Sequence, residues 1–208
     1  MTTSRKLVFV IAGVCLGILL GVKYLNAAEH RPYAEIGGIG LTEKGISEGH
    51  KAYYLVGAET IWNNGLSSNI EGFTRGEAAD DDPEILQWGA AAGARYMLGV
   101  WEHVKPYLEV SYNHYERDVG EEDTIYFAAA NGGALFTYGI FYVDIGTIIP
   151  FWSNTQSGNF GIDSGIGIKY GAFDIGYRYK EVRLTDHHFS SDNEMAFTFS
   201  GVQFGYKF

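Results

Sequence analysis

Basic residues, cysteine and proline are all scarce in this chain of 208 residues, and each scarcity narrows what it can be. Lys and Arg number 15 against 25 Asp and Glu. A nucleic-acid binder needs a basic face to neutralise phosphates, so no nucleic-acid partner is expected. The single cysteine, Cys15, lies in an uncharged apolar run from Leu7 to Val22. Arg5 and Lys6 precede that run, and the small-residue site Asn26, Ala27, Ala28 follows it. This is the layout of a secretory signal peptide cleaved after Ala28, and the run of 16 residues is short for a membrane-spanning helix. The reading gives a cleaved leader, 1–28, and a single domain, 29–208, with no cysteine. A disulfide framework and a cysteine metal site are then excluded. Removing the leader takes Arg5, Lys6 and Lys23, leaving 12 basic residues against 25 acidic, a net charge of −13. Phosphate cradles are missing too. Gly-x-Gly stretches such as 165–167 lie in strand-like sequence and open no helix.

What the chain has in abundance is glycine, at 28 residues, and aromatic side chains, with 15 Tyr, 13 Phe and 4 Trp. Its dominant period is two. In 173–180, Phe173, Ile175, Tyr177 and Tyr179 alternate with Asp174, Gly176, Arg178 and Lys180. Residues 86–96, 107–113, 141–149 and 162–170 alternate in the same way, setting Leu86 and Trp88, Leu108 and Val110, Ile145, or Ile166 against polar residues and glycine. Such segments are strands with one apolar face. Residues 124–143 carry no charge, but Asn131, Gly132, Gly133 and Gly139 make a poor helix, so the stretch reads as two strands around a turn at 137–140. The connections alternate between hydrophilic segments (42–49, 77–84, 116–123, 152–159, 185–194) and tight turns (63–66, 99–106, 137–140, 170–173). Five loops and four turns join ten strands, with eight as the alternative count. The expected fold is all-β, an antiparallel up-and-down transmembrane barrel. A soluble barrel would instead turn the apolar face inward. Glycine and single mid-strand charges on the opposite face favour lipid outside.

Aromatics gather at two levels, as headgroup-depth girdles require. The tight-turn level holds Tyr33, Trp62, Tyr96, Trp101, Tyr107, Phe136, Tyr138, Tyr170, Phe173, Tyr206 and Phe208, and the loop level Tyr53, Trp88, Tyr126, Phe151 and Trp152. The last strand, with Phe204, Tyr206 and the terminal Phe208, resembles the C-terminal insertion signal of bacterial outer-membrane barrels, and 165–181 resembles the penultimate hairpin of small OmpA/OmpX-like barrels. The resemblance implies residence in the cell outer membrane of a Gram-negative bacterium, among its lipids and lipopolysaccharide. It also implies export by Sec, escort by periplasmic chaperones and insertion by the barrel-assembly machinery.

With rings facing lipid, the opposite face supplies a lumen. Its acids are Glu35, Glu59, Glu71, Glu109, Asp144, Asp163 and Asp174, and its bases Arg75, Arg95, Lys169, Arg178, Lys180 and Lys207. Buried charges must pair, so the expected lumen is filled by a salt-bridge network. The expected role is non-enzymatic, envelope-structural or in surface interaction through acidic loops whose ligand no motif discloses. A narrow channel for ions or small solutes is the alternative. A third reading is a hydrolase. His188 and Ser190 with Glu194 or Asp186 hold the parts of a triad, and His188-Phe189-Ser190 resembles the His-x-Ser motif of PagL-type lipid A deacylases. Ser191 replaces that family's Asn, and no Glu lies on the last strand. Asp80, Asp81, Asp82 and His187 show no protease spacing, and the His pair lacks a third metal ligand, so no metal or cofactor is expected.

Overall fold

A computed structural model describes residues 29–43, 46–76, 86–99, 101–119, 121–154, 156–186 and 194–208. Residues 1–28, read above as a leader, lie outside them. Ten strands run in chain order: β1 (Glu29–Glu43), β2 (Ile46–Ile61), β3 (Leu66–Arg75), β4 (Leu86–Met97), β5 (Val104–Val119), β6 (Glu121–Tyr138), β7 (Phe141–Ser153), β8 (Gln156–Tyr170), β9 (Phe173–Asp186) and β10 (Glu194–Tyr206). Each pairs antiparallel with its sequence neighbours. β1 closes the barrel on β10, with Ile36 opposite Val202. Closure leaves no sheet edge, which is what a strand structure needs where water cannot satisfy the backbone. Among the described residues no helix is long and apolar enough to cross a membrane. The uncharged stretch 124–143 is β6 and the start of β7, turning at Gly139 and Ile140.

Two of the tight turns depend on glycine. Gly139 (φ 59°) and Gly171 (φ 61°) occupy the first position of two-residue hairpin turns. The left-handed conformation there matches the twist of the flanking strands, and a side chain would strain it.

The opposite end differs from the sequence expectation. Three of the five hydrophilic segments read as loops are largely strand. β1 and β2 leave only 44–45 between them, β5 and β6 only residue 120, and β7 and β8 only 154–155. Glu116 pairs with Thr124, and Thr42 with Ser47. A polar composition does not interrupt the ladder, because pairing runs through the backbone. Residues 77–85, between β3 and β4, and 187–193, between β9 and β10, lie outside the described residues.

Four register shifts interrupt the ladders at this end, between Gly40/Thr42, Leu86/Trp88, Ala128/Ala129 and Asn159/Ile162. A bulge switches the face of the residues beyond it. Leu86, expected beside Trp88 on the outer face, is therefore fully buried inside.

Candidate functional site, a lumen in two halves

Odd residues of β1 point inward, and their order summarises the interior. Glu29, Arg31, Tyr33 and Glu35 come first from the tight-turn end, then Gly37, Ile39 and Leu41. β9 repeats the sequence with Asp174, Gly176, Arg178 and Lys180 followed by Val182 and Leu184. β10, running the other way, shows Met195, Phe197 and Phe199 before Gly201, Gln203 and Gly205. The lumen is polar on the tight-turn side and apolar on the other.

The polar half is a network of paired charges. Arg178 donates to Glu71 Oε2 at 3.0 Å and to Asp163 Oδ2 at 3.3 Å. Lys180 Nζ lies 3.4 Å from Glu71 Oε1, and the Tyr33 hydroxyl donates to Glu71 Oε2 at 3.0 Å. Across the barrel, Arg95 reaches Glu109 at 2.8 Å and Asp144 at 3.4 Å, with its guanidinium 4.0 Å from the centre of the Tyr107 ring. Lys169 pairs with Asp174 at 3.6 Å, and Tyr142 donates to the same carboxylate at 3.0 Å. At the mouth, Lys207 and Arg31 share Glu29, Lys207 at 2.6 Å. Buried charges persist only where each meets an opposite charge and further hydrogen bonds, and this half meets that requirement nearly throughout.

Tyr107 needs room for its place in this network. A Cβ added to Gly133 would lie 2.6 Å from its hydroxyl. The glycine-rich inner face is what lets a ring fold down inside a narrow barrel.

The other half is an apolar core. Tyr53, Phe73, Tyr115, Phe127, Phe197 and Phe199 come from β2, β3, β5, β6 and β10 and meet across the lumen. Their ring centres are 5.2 to 6.4 Å apart, mostly edge to face. Ile39, Leu41, Leu86, Ile125, Ile148, Val182 and Leu184 fill the space between the rings and the wall. Such aromatic pairs add about 0.5–1.5 kcal/mol each beyond the area they bury. The charge-filled lumen expected from the sequence is thus corrected: ion pairs occupy only one half, and packed rings and aliphatic side chains close the other. Three rings assigned to the girdles belong inside as well. Tyr53 and Tyr107 are buried, and Tyr33 reaches inward to Glu71.

Each sequence-derived lumen candidate can now be placed. Glu71, Arg95, Glu109, Asp144, Asp163, Lys169, Asp174, Arg178 and Lys180 join the pairs above. Glu35 is buried and accepts a hydrogen bond from Tyr53 at the boundary between the halves. Glu59 stands opposite Arg31 on β2, Lys207 sits at the mouth, and Arg75 follows Phe73 on the apolar side, opposite Tyr53. Glu29 and Arg31 were not among the candidates, because they directly follow the segment read as a leader and precede the clear alternation. His188 and Ser190 lie outside the described residues. Glu194 begins β10, its backbone opposite Thr185.

Outside, the tight-turn half is lined by exposed apolar side chains, among them Leu108 (66% exposed), Phe173 (62%) and Ile145 (55%). Phe204, Tyr206 and Phe208 are exposed on the same outer face. Towards the other end the outer face of β9 and β10 becomes polar, while Phe151, Trp152 and Phe160 stay exposed on β7 and β8. Tyr179 donates to Glu181 at 2.6 Å, and Arg183 pairs with the same carboxylate. Trp88 donates to Glu116 at 2.5 Å and stacks on His114, and Tyr126 packs on Trp152. A continuous apolar belt ending in amphipathic rings is the outer surface of a membrane-spanning barrel.

No protein-family model matches the chain, and no curated protein matches it. Among solved structures, Neisserial surface protein A aligns over 84% of this chain and 95% of its own, at 14% identity and a TM-score of 0.41. The KdgM porin aligns over 84% of this chain and 99% of its own, at 12% identity and a TM-score of 0.43. The N-terminal β-barrel domain of Pseudomonas aeruginosa OprF aligns over 85% and 97%, at 10% identity and a TM-score of 0.37. These are small outer-membrane barrels, and no subfamily is singled out among them.

Proposed function

We propose that this chain is a non-enzymatic, non-conducting barrel of the bacterial outer membrane, with its tight turns in the periplasm and its polar rim outside the cell. The observation that carries the reading is the position of the apolar core. In the tight-turn half, apolar side chains face out and charges face in, which suits lipid outside. Beyond it, on β9 and β10, Val182, Leu184, Phe197 and Phe199 turn inward while Glu181, Arg183, Thr198 and Ser200 turn outward. That is the arrangement of a water-soluble barrel. The chain then stands through the membrane on its lower half and projects its upper half from it. The projecting wall forms a platform for surface interaction, and the acidic composition of the segments at this end suits that role. The packed rings oppose the channel alternative, since a conducting path would have to cross them.

Planar-bilayer recording tests the proposal. The intact barrel is expected to give no resolved steps. A variant with Phe73, Tyr115 and Phe199 all changed to Ala is expected to conduct. Steps of stable size from the unmodified protein would establish the channel instead.

A further inference from the structure

At the boundary between the two halves of the lumen, one carboxylate has no base of its own. Glu35 points inward from β1 and is only 2% exposed. The Tyr53 hydroxyl donates to its Oε1 atom, while Oε2 is buried without a hydrogen-bond partner. A void of about 10 Å³, room for about one water, lies beside it. Glu35, Glu71, Arg178 and Lys180 border this void together with Tyr53, Phe73, Tyr115 and Phe199 of the apolar core.

The strands packed around Glu35 supply two bases for three carboxylates. Glu71 on β3, Asp163 on β8 and Arg178 on β9 lie close enough to act on its charge, and Lys180 shares the void with it. Arg178 spans Glu71 and Asp163, and Lys180 takes the other oxygen of Glu71. Two bases thus neutralise two carboxylates. Tyr33, on β1 itself, donates to Glu71, and Tyr115 of β5 borders the void. Ala90 and Ala91 of β4 and Phe199 of β10 do not titrate. Gly201 leaves no space for a donor from β10, since a Cβ there would lie 2.8 Å from Glu35 Oε1. Among the described residues no base forms an ion pair with Glu35.

An enclosed carboxylate with one hydroxyl donor and no paired base is costly, and such a group takes up a proton instead. We infer that Glu35 is a neutral carboxylic acid in the folded barrel, and that its proton keeps the floor of the apolar core closed. The acid accepts from Tyr53 at Oε1 and turns its own O–H towards the void, where one water can accept it. Without the proton, the carboxylate needs donors that only more water can supply. The void cannot admit that water unless Tyr53, Phe73, Tyr115 and Phe199 move apart. Ionisation therefore loosens the apolar half from below, wherever the membrane lies.

Proton linkage in the intact, refolded barrel tests the inference. Above about pH 4.3 the unfolded chain has ionised Glu35, whereas the folded barrel retains the proton. The stability this proton contributes is complete below that pH and is lost as pH rises, until Glu35 ionises in the folded barrel too. Glu35→Gln stays neutral throughout, and groups common to both proteins drop out of the comparison. The folding constant of Glu35→Gln relative to the unmodified protein, from urea unfolding, is expected to rise about tenfold per pH unit between about pH 5 and about pH 8. A ratio that does not change with pH would overturn the inference. Should Glu35→Gln not refold, infrared spectra of the unmodified barrel and of Tyr53→Phe decide. At neutral pH the unmodified barrel is expected to show the C=O band of a protonated carboxyl, shifted in Tyr53→Phe by loss of the hydrogen bond to Oε1. No such band, or a band that Tyr53→Phe leaves in place, would equally overturn it.

Discussion

Two halves of one lumen, built from the same ten strands, follow opposite rules. Near the tight turns, inward positions carry charges held by ion pairs, and outward positions carry exposed aliphatic and aromatic side chains. Towards the other rim, inward positions are apolar and packed ring on ring, while outward positions on β9 and β10 are polar. The strand does not break between the two. On β10 the apolar parity changes from even, at Phe204 and Val202, to odd, at Phe199 and Phe197. On the proposed reading the strands continue while their surroundings change from lipid to water. Where lipid is outside, the interior is free to be polar. Where water is outside, the apolar residues must go in, as in any soluble protein.

The comparison can be broken most severely by emptying the apolar half. Changing Phe73, Tyr115 and Phe199 together to Ala removes the central rings, and each truncation costs about 3–5 kcal/mol in a packed core. A lower urea midpoint and new bilayer conductance are expected together. Arg178→Ala attacks the polar half. It leaves Glu71 and Asp163 short of a partner inside the barrel, at a cost of about 3–5 kcal/mol, again read by urea unfolding. Changing Arg178 and Glu71 together to Met and Leu is expected to recover part of that loss.

The outer belt gives a smaller effect. Ile145→Arg places a charge among lipid tails and is expected to destabilise by about 2–4 kcal/mol in vesicles. The same change at Thr198, in the proposed projecting part, is expected to cost little, so the two variants together locate the membrane boundary. Gly133→Val pushes against the Tyr107 hydroxyl and is expected to cost about 1–3 kcal/mol. The smallest effect is that of Arg183→Gln. Its ion pair with Glu181 lies on the outer rim with the guanidinium partly exposed, so less than about 1 kcal/mol is expected.

Much of this was legible in the chain. The strand number, the closed meander, the hairpins at Gly139 and Gly171 and the inward side of Arg95, Glu109, Asp144 and Arg178 follow from period-two alternation and turn chemistry. The apolar half was not legible by the same means, for a physical reason. Alternation reports that two faces differ, but not which one meets lipid. Assigning every apolar face to lipid holds for Ile175 and Tyr177 and fails for Val182 and Leu184 on the same strand. The available signal was the change of parity within β9 and β10, and the conversion of Tyr179-x-Glu181-x-Arg183 to a polar outer row. Leu86 was hidden differently. A bulge adds one residue to one strand only, and no sequence period records it. The hydrophilic segments around 42–49 and 116–123 misled because polarity reports solvent, while strand pairing depends on backbone partners.

Single cysteines offer the most direct test of the divided lumen, because the chain after residue 28 has none of its own. Glu59→Cys places a thiol on the wall of the cavity of about 310 Å³ in the polar half of the lumen, and Leu184→Cys places one in the apolar core. In the folded barrel, a water-soluble maleimide is expected to label Glu59→Cys readily and to leave Leu184→Cys unlabelled until the protein is boiled. Equal labelling of both before boiling would mean that water runs the length of the lumen, and the sealed core described here would be wrong.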